Sequence, residues 1–315
     1  MDSEASEQSI PVRWVSVAVY GFASLVFLLV VSFEVASVSV SPHLAEVLSR
    51  REMAESIASI TAQVEWRAMT VLFLGALVGA FVVGAWNLWL GWRRDRRVTL
   101  TLLLVGVVVG MLVSSAFGAA SKPTSMLHQV LQALAVEPTT KALMLVPKFA
   151  AEVIAGLVGM GFAAVLILPE HIDAEVLSRH FGRLRAMLFT SAAMLAIGVL
   201  MTHSAYGWAV SFVTHGPGEA YAEPLAALGA SATHLAGSVY TLILAAVYIP
   251  GAFVLDEVGR RVATEATQHD ENPDPEAWLE LNGLRTQRPA QIGRLFVILA
   301  PLLSSLSPKL LGWVT

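Results

Sequence analysis

The chain has 315 residues, of which 56% are apolar, 14% are charged and none is cysteine, and its formal net charge is −4. Ordinary soluble domains are roughly 25% charged, so this composition excludes a disordered chain and a free-standing soluble enzyme. The near-neutral net charge does not provide the excess of positive charge that is typical of proteins that bind nucleic acid. The lack of cysteine excludes disulfides, thiolate metal ligands and cysteine nucleophiles.

Long apolar runs predict membrane-spanning helices. The hydrocarbon core of a bilayer is about 30 Å thick, so a helical span needs about 20 mostly apolar residues. The first run that qualifies has no cleavage site and is interpreted as a retained span, not a signal peptide. We therefore predict an all-α, polytopic integral membrane helix bundle with about six transmembrane helices in residues 12–255, after an amino-terminal tail in residues 1–11. The six runs are 12–33, 69–92, 98–119, 143–168, 184–202 and 235–255.

The basic residues predict the orientation of these spans. Arginines cluster in the run 93–97 (RRDRR), between the second and third spans, whereas residues 203–234 contain no Lys or Arg. Loops rich in Lys and Arg stay on the cytoplasmic side of a membrane. We therefore expect a multi-pass protein of the inner, or plasma, membrane with a cytoplasmic amino terminus.

Between the spans, amphipathic patterns predict further elements. On the outer side, residues 41–67 and 124–136 each carry one apolar helical face, and the first either lies on the membrane or runs straight into span two. Residues 204–231, rich in Gly, Ala and Pro, predict an outer loop, which is shorter if span five continues through Trp208. On the inner side, residues 172–185 predict a short amphipathic helix.

The carboxyl-terminal part of the chain, residues 256–315, has the least regular pattern of apolar and polar residues. Residues 256–291 are polar and predict a cytoplasmic tether, in which Asp274 could cap a short helix that ends at Gly283. Residues 292–315 have an apolar helical stripe interrupted by Pro and Ser. The stripe fits a kinked seventh span or an amphipathic helix at the interface, and its broken apolarity slightly favours the interface.

Two sets of polar residues in the spans are candidates for a pathway. Lys148 and Glu152 are four residues apart in the fourth span, and charges within a membrane commonly mark function. The alternative is an interfacial pair in which Lys148 extends to the membrane surface. In span six, a polar set could line a pore or instead form hydrogen bonds between helices. Its members are Ser238, Tyr240, Thr241 and Tyr248.

Histidines near the predicted outer face suggest a possible metal or haem site. Imidazole and carboxylate ligands suit zinc or copper, and paired histidines can hold haem. No spacing here matches a compact metal motif, so solvated helix ends are the alternative. The candidate ligands are His203, His215, Glu219 and His234.

Small residues four apart in three spans predict close helix packing, within one bundle or at a dimer face. These residues are Gly75, Gly79, Gly106, Gly110, Ala155 and Gly159.

These features suggest three classes of function. The leading prediction is a small-solute or ion channel or transporter component, without a cofactor. The second is a non-transport membrane subunit, a scaffold, sensor or membrane effector acting through its cytoplasmic carboxyl-terminal region. The third is a membrane protein that binds haem or a divalent metal. No phosphate-loop, zinc-protease or nucleophile-elbow motif favours an enzyme. The expected partners are the lipid bilayer, a second copy of the chain and a protein at the carboxyl-terminal region, but not nucleic acid.

Overall fold

The computed structural model describes residues 16–21, 24, 57–119, 138–213, 222–268, 274–284 and 288–311. All regular secondary structure in these ranges is helical. The principal helices are α1 (Ile57–Arg94), α2 (Arg96–Ala119), α3 (Pro138–Val165), α4 (Ala174–Val213), α5 (Ala222–Thr267), α6 (Pro275–Leu281) and α7 (Arg288–Leu311).

Helix α4 lies within the bundle and packs against α1, α3, α5 and α7. Its 40 residues make it about 60 Å long. Three contacts show that α1 runs antiparallel to it. Trp66 stacks on Trp208 at one end, a Cβ on Gly198 would lie 3.1 Å from Phe73 in the middle, and Arg94 meets His180 at the other end. We call these ends the tryptophan end and the arginine-rich end.

The neighbouring helices continue this arrangement. Helix α5 is antiparallel to α4, because Gly229 approaches Tyr206 near the tryptophan end and Gly259 approaches Leu177 near the arginine-rich end. Helix α7 is antiparallel to α5, with the backbone N–H of Leu302 donating to Thr241 Oγ1 at 3.2 Å. The apolar core between these helices is continuous from α1 to α7.

Three helices in the described ranges are long and apolar enough to cross a membrane. They are Ile60–Arg94 in α1, Ala174–Ser211 in α4 and Ala222–Thr267 in α5. Large apolar side chains on their outer surfaces, such as Leu72 and Phe253, are exposed. Exposed apolar patches of this extent need a covering, which a bilayer would supply.

At both ends of span five, the helices extend beyond the predicted bounds. The predicted separate helix at 172–185 forms the first turns of α4, which continues without a break into the apolar span. The predicted loop at 204–231 is helical wherever it is described, in 204–213 and 222–231. Alanine is the strongest helix former, and the buried faces at Ala205, Ala209 and Leu225 stabilise these extensions by packing.

Other predicted elements are described only in part. From Ile57, the predicted outer helix 41–67 runs straight into span two within α1. Residues 16–21 and 24 of the first span are helical. The element predicted at 124–136 and the tail at 1–11 lie outside the described residues.

The polar carboxyl-terminal segment contains more structure than the predicted tether suggested. Helix α5 continues past the sixth predicted span to Thr267. The Asp274 carboxylate accepts the N–H of Ala277 at 3.0 Å, which confirms the predicted helix cap at the start of α6. After α6, Gly283 has a φ of 64°, the left-handed conformation that glycine adopts at helix ends.

The predicted packing residues differ in their surroundings. A Cβ on Gly106 would lie 2.7 Å from Met160 Sδ, and one on Gly159 would lie 3.1 Å from Tyr20 Cε2. Around Gly75 and Gly79, the described residues leave open space. Ala155 is half-buried on α3, and the surroundings of Gly110 lie outside the description.

The closest approach of α1 and α3 occurs at two glycines that the small-residue pattern did not single out. A Cβ on Gly161 would lie 2.9 Å from the Cα of Gly84 and 3.1 Å from its carbonyl oxygen. Both are backbone atoms, so neither can move without shifting a helix. The crossing therefore requires glycine at position 161.

We predict that Gly161→Ala destabilises the bundle by about 1–3 kcal/mol, because overpacking a tight core costs about that much. The matched control is Gly156→Ala on the same helix, where a Cβ would meet no atom within 4 Å. The measurement is the melting temperature of each purified variant in lipid nanodiscs. Equal melting temperatures for the two variants would contradict the tight crossing.

Candidate functional site

The arginine-rich end contains a buried polar contact between three helices. Helix α3 ends at Val165, and a helix end leaves carbonyl groups without N–H partners inside the helix. The backbone N–H groups of Leu166 and Ile167 donate to the carbonyls of Ala163 and Ala164, whereas the Val165 carbonyl meets a side chain of another helix. His180, on α4, has an exposed fraction of 0% and its Nδ1 lies 2.5 Å from the carbonyl oxygen of Val165. Arg94, at the end of α1, donates from Nη1 to the carbonyl of Ile167 at 3.2 Å and to His180 Nε2. Arg94 and His180 together cap the end of α3.

These bonds define the form of the His180 ring. A guanidinium group only donates hydrogen bonds, so Nε2 must accept from Arg94. Nδ1 must then carry the proton that is donated to the Val165 carbonyl. The ring is therefore neutral, and adding a second proton to it would break the bond to Arg94.

Further arginines surround this contact. Arg179 and Arg183, on the first turns of α4, lie within electrostatic range of Arg94 and of one another. Arg179 pairs with Glu175 at 3.5 Å, and both side chains are exposed. This exposed pair contributes little to stability.

Tryptophans lie beside the turn between α1 and α2. The Arg93 guanidinium lies 4.1 Å from the centre of the Trp89 ring, and Trp89 lies 4.9 Å from Trp86. Asp95 accepts the N–H groups of residues 97 and 98, which caps the start of α2. Tryptophan and arginine side by side are typical of a membrane–water interface.

The tryptophan end contains a second polar group of side chains, which we call the outer cluster: Glu65, His203, His234 and Ser305. His203 lies within electrostatic range of Glu65 and His234. His234 Nδ1 lies 3.2 Å from Ser305 Oγ, which links α5 to α7. The stacked rings of Trp66 and Trp208, 5.0 Å apart, lie in the same region.

Among the predicted metal ligands, the structure describes only His203 and His234, since His215 and Glu219 lie outside the described ranges. The described residues contain no group of three His, Cys, Asp or Glu side chains that could hold a metal ion. In addition, the Nδ1 atom of His234 is within hydrogen-bond distance of Ser305 Oγ.

Among the predicted pathway residues, only the side chains on α5 are described. Lys148 and Glu152 belong to α3, but their side chains lie outside the described part. On α5, Thr241 bonds to the α7 backbone, and Tyr248 is buried in the core with 5% exposed. On the same helix, Ser238 is exposed and Tyr240 is half-buried. The bond from Thr241 supports the alternative role for this polar face, hydrogen bonding between helices.

Sequence reasoning missed the pair of Arg94 and His180. Arg94 was interpreted only as an orientation signal, and His180 was not singled out. A signal was present, because His180 lies three residues after Leu177 and four before Leu184, on the apolar face of the predicted helix. Both of these leucines are buried in the core.

No family model, curated protein or solved structure matches this chain. The fold therefore defines its class, an all-helical protein in which three described helices could cross a membrane.

We predict that His180→Leu destabilises the protein by about 2–3 kcal/mol, because the Arg94 guanidinium and the Val165 carbonyl both lose a partner. The control is His171→Leu, because His171 is exposed in the connection between α3 and α4. A double-mutant cycle with Arg94→Leu, measured by chemical unfolding in detergent, should give a coupling energy of about 1 kcal/mol or more. Additive effects would contradict a direct bond.

Proposed function

We propose that this chain is a multi-pass protein of the inner membrane and a non-transport subunit that acts through its cytoplasmic carboxyl-terminal region. The observation that carries this proposal is the ordered packing of that region. Helix α6 folds back onto the extension of α5, with Leu279 and Leu284 buried in the core. A segment packed in this way holds its outer surface in a fixed position relative to the membrane.

In the proposed orientation, the arginine-rich end lies in the cytoplasm. Arg93, Arg94, Arg96 and Arg97 occupy this end of α1 and α2, in agreement with the preference of Lys and Arg for the cytoplasmic side. The antiparallel packing of α7 along α5 supports a seventh span over an interfacial helix. Its exposed leucines, Leu295, Leu299 and Leu303, would then face lipid.

The interior of α4 also supports a role other than transport. Between His180 and the outer cluster, its buried side chains are apolar, such as Leu184, Leu188 and Val199, except for that of Ser191. A pathway for an ion or polar solute needs polar groups or water along its length. The candidate surface for a partner is the outer side of α6, where Leu281 is 87% exposed.

A photo-crosslinking residue at position 281 of the full chain, in native membranes, tests this proposal. We expect a discrete protein adduct, because Leu281 is an apolar side chain presented to the cytoplasm. The control position is Phe253, which is exposed on the apolar part of α5 and should yield lipid adducts only. Lipid adducts alone at position 281, or the same protein adduct at both positions, would overturn the proposal.

A second candidate is passage of a small solute or ion, and the outer cluster favours it. Glu65, His203 and His234 bring three titratable side chains from three helices together at one end of the bundle. Two buried polar atoms further along, Asn87 Oδ1 and Ser191 Oγ, have no hydrogen-bond partner among the described residues and offer sites for water.

Flux through protein reconstituted in liposomes tests the second candidate. We expect Glu65→Gln and His203→Gln each to reduce proton or ion flux about tenfold, since a positioned proton-transfer group contributes about that much or more. Glu223→Gln is the control, because this exposed glutamate lies in the first turn of α5. No flux with the unmodified chain, or equal flux in the three variants, excludes a pathway through the outer cluster.

A further inference from the structure

We propose that Arg94, Arg179 and Arg183 form a binding site for a phosphate-bearing anion at the arginine-rich end. The site lies where the last turn of α1 meets the first turns of α4. It needs no protein partner, so it goes beyond the proposed subunit function and can be tested separately.

Arg94 provides a fixed donor. Its two bonds, to the Ile167 carbonyl and to His180 Nε2, both use Nη1. A guanidinium has five N–H groups, and no described residue bonds to those of Nη2 and Nε, which can therefore bind a ligand. Because Ile167 and His180 are buried, they hold the Arg94 side chain in one position.

Among the described residues, like charges dominate the electrostatic surroundings of this donor. The electrostatic neighbours of Arg94 that act most strongly on it are Arg183 and Arg179, which share its charge. His180 is neutral, and the Ile167 carbonyl offsets only part of the Arg94 charge. The carboxylate paired with Arg179 is that of Glu175, which is exposed and free to move away. An anion bound between the three guanidinium groups would remove their mutual repulsion.

The geometry of guanidinium groups selects the class of anion. Planar N–H forks bind phosphate oxygens in pairs, and several arginines can share one phosphate. Lipid is near this site, because Trp86 and Trp89 expose their rings on the adjacent turns of α1. Basic pockets on the cytoplasmic side of helix bundles bind anionic lipid headgroups. The same site chemistry fits a free phosphate or a phosphorylated solute.

Ligand-induced shifts in melting temperature test the site, with the full chain purified in neutral detergent. Three additions are compared: phosphatidylglycerol, phosphatidylcholine and inorganic phosphate. We expect phosphatidylglycerol to raise the melting temperature and phosphatidylcholine to leave it unchanged. If inorganic phosphate raises the melting temperature as much as phosphatidylglycerol does, the ligand is a soluble phosphate. If inorganic phosphate does not raise it, the ligand is a lipid headgroup.

The variant for this test is Arg179→Gln with Arg183→Gln, which leaves the Arg94 cap intact. We expect its affinity for the active ligand to fall about tenfold or more, since each hydrogen bond between charged groups contributes at least that factor. The matched control is Arg260→Gln with Arg261→Gln, which removes the same charge from α5, where both arginines pair with carboxylates.

Two results would overturn the proposal. One is that neither phosphatidylglycerol nor inorganic phosphate changes the melting temperature of the unmodified chain. The other is that the control variant loses as much affinity as Arg179→Gln with Arg183→Gln, which would show attraction to overall positive charge rather than a site. Because the readout is ligand binding, failure of the partner crosslink at position 281 would not affect it.

Discussion

The end of α3 imposes the constraint on which the arginine-rich end of the structure depends. A helix that stops inside a bundle leaves carbonyl groups without donors, and burying them unpaired is costly. Here the donors come from two other helices, Arg94 from α1 and His180 from α4. One requirement of the backbone therefore fixes the relative positions of three helices, and it also brings a guanidinium group beside two more arginines.

The two ends of the bundle have different chemistry. The arginine-rich end combines cations with exposed tryptophans, whereas the outer cluster combines imidazoles with one carboxylate. Most of the buried residues between them are apolar, and small residues let the helices approach closely there, as Gly84 and Gly161 do. A bundle with an apolar middle and polar groups at both ends suits a protein that binds partners at its surface. A pathway through the bundle would need water to connect the polar groups of Asn87 and Ser191.

Much of the helical content could be predicted, and the errors have a common cause. Apolar runs located the helices α1 to α5, and a capping pattern at Asp274 located α6. The separate helix predicted at 172–185 is part of α4, and the described parts of the predicted loop at 204–231 are helical, because charges and small residues are compatible with a continuous helix as well as with a break. Packing against α5 and α1 decides between the two, and a single sequence does not contain that information.

Local composition alone determines that this chain forms apolar helices and that arginine is concentrated in the run 93–97, because length, hydropathy and charge act on each segment separately. Which helices are neighbours, and in which direction they run, depends on contacts between residues far apart in the chain. Arg94 and His180 are 86 positions apart, and Thr241 and Leu302 are 61 apart. Only the tertiary structure could therefore show that a basic turn caps α3, and that the last helix packs antiparallel to α5.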